Sequence, residues 1–169
     1  AMAALEPYKT LFPAVLDRRM AAKLGFDAPT EATRALTEEL LTLMARERTD
    51  WTIFWRRLAH HAAGASADTV RELFLDRAAI DRVLLQYNEL PALVGRAPEA
   101  DLMLKSSPAI VLRNHLAEQA IALAKQKDFR MVQDLLAVLE HPYDEHPDHL
   151  DWAGFPPDWA SHIQISCSS

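Results

Sequence analysis

The C-terminal end of the chain concentrates residues able to do chemistry: His141, His146, His149 and His162 lie among Asp144, Glu145, Asp148 and Asp151. Imidazole and carboxylate are ligands of zinc and other transition metals, so the density invites a metal reading. The spacing argues against it. No pair repeats as in H-E-x-x-H, and Pro142, Pro147, Pro156 and Pro157 break the segment, so a solvated or carboxylate-paired histidine set, and no metal site, is expected. His60 and His61 are adjacent and face different directions on a helix. Arg113-Asn114-His115 interrupts an apolar run. A guanidinium there can hold a phosphate or carboxylate, or anchor a structural ion pair to a carboxylate of the C-terminal segment or a neighbouring helix. With no other phosphate-binding feature beside it, the structural role is expected. Ser66, Ser106 and Ser107 sit where helix capping explains them, and no catalytic residue is expected. Cys167 is the single cysteine, which excludes an internal disulfide and every multi-cysteine zinc site. Flanked by Ser166 and Ser168, it has little apolar cover of its own. It reads as an accessible thiol, with packing against the body as the alternative.

The elements that would position these residues follow from composition and periodicity. The chain has 169 residues, 50% of them hydrophobic, and a net charge of −6, the balance of a folded globular protein. Its four glycines, Gly25, Gly64, Gly95 and Gly154, are scattered. Cradling phosphates in a backbone loop needs clustered glycines, so a P-loop, a dinucleotide fingerprint and a kinase glycine-rich loop are all excluded. All 18 basic side chains precede residue 131, and the seven acids beyond it have no Lys or Arg among them. Such an end repels phosphates, so no nucleic-acid partner is expected. No run reaches the length of a membrane span and the start lacks a signal pattern. The expectation is a cytoplasmic protein with no membrane partner.

Helical spacing dominates. It predicts helices over 14–24, ended by Gly25; from Pro29–Thr30, with Leu36, Leu40, Leu43 and Met44 on one stripe; and over 51–61 behind the N-cap Asp50. Further segments start near Val70 and Ala78, and 90–105 reads as a long connection containing Pro91, Gly95 and Pro98. Ser107 and Pro108 read as N-cap and first residue of a helix with Ile110, Ala117, Ile121 and Ala124 on one face. Asp128 caps a last helix that stops before Pro142. The fold class is therefore all-α: one domain of about six helices. Residues 1–140 form the body, and the acidic, proline-rich tail 141–169 packs on it through Tyr143, Trp152, Phe155 and Trp159.

The segment from Pro108 to Ile121 (Pro-Ala-Ile-Val-Leu-Arg-Asn-His-Leu-Ala-Glu-Gln-Ala-Ile) resembles the N-P-K-[YF]-[VI]-L-R-N-Y-L-A-Q-x-A-I signature of the selenoprotein O (SelO) family. Asp128-Phe129, the Pro142-Tyr143-Asp144-Glu145-His146-Pro147 run, Pro156-Pro157-Asp158-Trp159-Ala160 and the terminal Ser166-Cys167-Ser168-Ser169 continue the likeness in family order. Upstream, Met20 to Gly25 resembles M-R-x-K-L-G, and Asp50 to Leu58 resembles D-[YF]-T-x-x-F-R-x-L. Ser107, Ala109 and His115 stand where the family pattern has Asn, Lys and Tyr.

The resemblance covers the C-terminal third of the family's length. It implies pseudokinase enzymes that transfer AMP from ATP to protein hydroxyls with magnesium, the ATP and metal sites lying in a kinase-like part upstream. This chain itself then carries no cofactor, its partner is the kinase-like domain of the same protein, and Arg113, Asn114, Tyr143 and Trp159 are structural motif residues. Cys167 stands where eukaryotic members carry selenocysteine. The resemblance implies that it bonds a second cysteine in the kinase-like domain and gates activity by redox state. A stand-alone helical interaction protein, a truncated homologue without activity, is the alternative.

Overall fold

A computed structural model describes residues 2–163, with side chains from Pro7 onward. Cys167 lies outside the described residues. The described chain is all-α, with eight α-helices, two 3-10 helices and no strand. It forms two compact units, Ala1–Ser107 and Pro108–Ser169.

The first unit holds α1 (Met2–Lys23), α2 (Glu31–Glu47), α3 (Trp51–Ala62), α4 (Asp68–Arg71), α5 (Arg77–Val94) and α6 (Ala100–Ser106). Local chemistry sets the helix starts. Thr30 and Thr33 form a reciprocal capping box at α2, Asp50 accepts from the Ile53 amide at α3, and Asp76 accepts from the Ala79 amide at α5, each satisfying an orphan donor. The apolar stripes close on one core that includes Leu24, Phe26, Leu40, Phe54, Trp55, Leu58, Phe74, Ile80, Leu90 and Met103, all essentially buried. The Phe54 ring meets Trp55 and Phe74 edge-on, at 5.0 and 5.7 Å, the geometry that aromatic quadrupoles favour.

Three expectations change here. α1 begins at Met2 and runs through Pro7 and Pro13, well before residue 14. The short α4 spans Asp68–Arg71, so Leu73 and Phe74 follow it in a turn. The 90–105 stretch is largely helical. Pro91 sits in the last turn of α5 before Gly95 takes φ +81°, and α6 follows with Met103 fully buried. A proline near a helix end removes one rung of the ladder, and burial of Leu90 offsets that loss.

The second unit is a helical hairpin, α7 (Asn114–Lys125) and α8 (Arg130–Glu140), followed by 3-10 helices Pro147–Ala153 and Asp158–His162. Its cores are small. Ala109, Ile110 and Val138 form one, Leu116, Ala120 and Leu135 another, and Trp152 packs against both. Pro108 is not the first residue of a helix, and α7 starts at Asn114. Ser107 is extended (φ −132°, ψ 105°), as a residue before proline prefers. The Ala109 and Ile110 amides both donate to the Pro142 carbonyl, at 2.7 and 3.4 Å, which ties residues after Pro108 to the end of α8. The buried face of α7 is Leu116 and Ala120, and Ile121 is exposed. Asp128 caps one residue early: its Oδ1 accepts from the Arg130 amide while Phe129 occupies the N-cap. Of the four expected aromatic anchors only Trp152 enters a core, and Tyr143, Phe155 and Trp159 are 46, 57 and 45% exposed.

Candidate functional site

Of the residues singled out in the second unit, Arg113, Asn114 and His115 line one groove of about 750 Å³, and Tyr143 and Trp159 are not among its lining residues. Leu112, Arg113, Asn114 and His115 form one wall, and Pro156, Pro157, Asp158, Ala160 and Ser161 the other. The first wall is the last extended residue pair and first turn of α7, and the second is the proline pair with the 3-10 helix it initiates. Proline fixes φ and disfavours helix in the residue before it, so Pro156-Pro157 forces the chain to arrive extended.

His115 is buried to 6% exposure, and its ring meets Trp159 edge-on at 6.1 Å. Burial, then the Arg113 charge, holds the imidazole below its ordinary pKa, so it is neutral at pH 7. Arg113 is the half-buried N-cap of α7 and makes no side-chain capping bond there. The Asn114 and His115 amides sit at the first two positions of α7, where no intrahelical acceptor exists. The Ser161 hydroxyl donates to the Asp158 carbonyl at 2.7 Å, which leaves it tied to its own turn. The groove thus carries a cation and helix-end donors on one wall and a carboxylate on the other. Its lining pairs a cation with a carboxylate across the groove.

The tail histidines are used otherwise. His146 Nε2 lies 2.8 Å from the His141 carbonyl; a nitrogen facing a carbonyl must carry the proton, so it offers no lone pair to a metal. His149 stacks on Trp152 at 4.0 Å. Among the described residues no group of three or more His, Cys, Asp or Glu is gathered as a metal ion would require. Likewise, no helix is long and apolar enough to cross a membrane. His61 Nδ1 faces the Ala65 carbonyl at 3.0 Å.

A second constellation, in the first unit, was missed by residue-by-residue reading. Lys23 Nζ donates to the Ser106 carbonyl (2.7 Å) and Ser107 Oγ (3.3 Å). It lies 5.9 and 5.7 Å from the ring centres of Trp51 and Trp55, within cation–π range. Burial pushes its pKa down to about 8. Arg56 Nη1 donates to the Leu104 and Ser107 carbonyls, at 3.2 and 2.9 Å. Gly25 completes the arrangement. It takes φ +91°, its carbonyl accepts from the Glu99 amide at 2.9 Å, and a Cβ there would sit 2.7 Å from the Pro98 Cβ. The two upstream motif segments, Met20–Gly25 and Asp50–Leu58, therefore meet at the end of α6. Tryptophans at i and i+4, one helix away from a lysine between alanine and leucine, were the available signal.

A family model described as Protein adenylyltransferase SelO matches residues 2–140. The chain is similar over its whole length to proteins named Protein nucleotidyltransferase YdiU. It is 59% identical to that of Variovorax paradoxus over 169 residues, 54% to that of Albidiferax ferrireducens, and 45% to that of Paraburkholderia xenovorans. It spans 34, 35 and 33% of those relatives, about a third of the length of the curated proteins it matches.

Proposed function

The chain belongs to the SelO family, and on that premise we propose that it is the helical, non-catalytic portion of a protein nucleotidyltransferase. In this reading it supports a kinase-like part that holds ATP and magnesium and transfers AMP to protein hydroxyls. The observation that carries the reading is the match of the entire chain to about a third of relatives named nucleotidyltransferases. The chemistry is consistent with it. Phosphoryl and nucleotidyl chemistry needs clustered backbone donors, a lysine and metal carboxylates in one cleft, and the four glycines here are dispersed. The groove at Arg113 and the Lys23 constellation then serve architecture and recognition.

Cys167 is the regulatory element of this reading. Its thiol and a second thiol in the catalytic part lose two electrons and two protons to a cellular oxidant and form a disulfide, which thiol exchange reverses in the reducing cytoplasm. Two measurements test the proposal. Calorimetry of the 169-residue chain with magnesium and ATP is expected to show no binding, and deleting the matching span from the Variovorax relative is expected to abolish its nucleotidyl transfer. Micromolar ATP binding by the chain, or undiminished transfer after the deletion, overturns it.

A further inference from the structure

Every described side chain of α1 from Pro7 to Leu16 is exposed. Five of them are large and apolar: Tyr8, Leu11, Phe12, Val15 and Leu16, with 42 to 60% of their surface in solvent. Their spacing, i, i+3, i+4, i+7 and i+8, puts them on one face of the helix. The rings of Tyr8 and Phe12 stack at 5.3 Å with 26° between planes, which makes the end of that face flat and aromatic. Beyond this face the chain enters the core at Met20 and, just past the end of α1, at Leu24, 4 and 0% exposed. α1 is thus anchored in the core by its last turn, while the apolar face of its first turns stays open.

An isolated helical stretch with Pro7 and Pro13 inside it has weak local reason to form, because each proline removes a hydrogen bond and crowds the preceding turn. Tertiary cover is what makes such a segment helical. Arg18 flanks the stripe and Arg19, i+4 from Val15, sits on it just past Leu16, while Asp17 is engaged by Arg34 Nε at 2.6 Å. The surface that fits this face is an apolar trough with an acidic rim.

We propose that the Tyr8–Leu16 face of α1 is the docking surface for the part of the full-length nucleotidyltransferase that lies outside this chain. The occupant follows from lengths. The relatives align with all 169 residues, α1 included, and this span is 34% of the Variovorax protein, so there α1 belongs to a protein with about twice this chain's length of further sequence. The inference rests on the reading of the chain as one portion of that enzyme.

Amide hydrogen exchange over residues 7–16 tests it, comparing the 169-residue chain with the full-length Variovorax relative. The expected result is fast exchange in the chain and at least about tenfold slower exchange in the full-length protein. Equal, fast exchange in both overturns the proposal. So does protection in the chain alone that rises with concentration alongside dimers in sedimentation, since a second copy is then the occupant. Leu11→Glu with Phe12→Glu adds a second arm. The pair is expected to leave the melting temperature of the chain unchanged and to remove the protection at matching positions of the full-length protein. A lowered melting temperature in the chain shows that the face is already satisfied internally and overturns the proposal. Should the full-length variant fail to fold, the wild-type comparison still decides. Nucleotidyl transfer by the full-length relative is measured alongside. Protection without transfer removes the functional reading and keeps the docking surface, and transfer without protection does the reverse.

Discussion

The two compact units differ in how much of their family motifs they bury. In the unit spanning Ala1–Ser107, most motif side chains are interior: Leu24, Phe54, Trp55 and Leu58 are at most 1% exposed and Arg56 is 8% exposed, with Trp51 the exposed exception. In the unit spanning Pro108–Ser169, Leu112, Tyr143 and Trp159 are roughly half exposed, and two small cores share Trp152. A motif held inside a large core is explained by packing. A motif that leaves aromatics in water and lines a groove needs an explanation from recognition. The difference also sets where the molecule opens first, because local stability follows buried apolar contact.

Phe54→Ala should produce the largest effect, a loss of about 3–5 kcal/mol, since a fully buried ring leaves a cavity; thermal denaturation measures it. Gly25→Ala comes next, at about 2–4 kcal/mol, because the left-handed conformation and the close approach of Pro98 and Glu99 add. A melting temperature within a degree of wild type would mean that α6 is free to shift. Trp152→Ala should cost about 2 kcal/mol and raise amide exchange in 108–163 while the core of the first unit stays protected. Uniform loss of protection would dissolve the distinction between the units.

Two smaller effects depend on pH. Burial lowers the Lys23 pKa to about 8 from 10.5, so the unfolded chain binds more protons between those values and stability rises with pH across that window. Burial also raises the Tyr87 phenol above its ordinary 10, which opposes the rise once the unfolded tyrosine ionises. Lys23→Met is expected to flatten the slope from pH 8 to 10, read by denaturant midpoints. His115 gives the smallest response, at the acid end. Its pKa lies below 6.5, so stability is full above 6.5 and declines as pH falls through the folded value. His115→Asn should remove that decline, and an unchanged slope would show that the groove does not hold the imidazole neutral.

Helix identity was legible wherever a local device announced it. Asp50 and Thr30 cap as their side chains dictate, Gly25 ends α1, and the stripes Leu36/Leu40/Leu43 and Ile80/Val83/Leu84 face the core. Pattern failed where distant partners decide. Pro108 looks like a helix start, yet the Pro142 carbonyl, far along the chain, takes the two amides that a Ser107 cap would have accepted. Pro91 looks like a break, yet buried Leu90 and Val94 packed against the core carry α5 past it. For the site, Arg113, Asn114 and His115 were each visible as unusual residues, and nothing local said that they share a groove with Pro156 to Asp158.

The chain's own residues determine its class and its exclusions. Period-3.6 apolar spacing can be satisfied only by helices, and scattered glycines cannot cradle a nucleotide, so all-α architecture and the lack of a phosphate loop follow without coordinates. Tertiary structure alone decided which apolar faces are spent. Phe12 and Met20 are both apolar residues of α1, and only the reach of the packed body leaves the ring exposed and the thioether buried. Periodicity reports the direction a side chain takes from its own helix, whereas burial depends on what other parts of the chain bring to meet it.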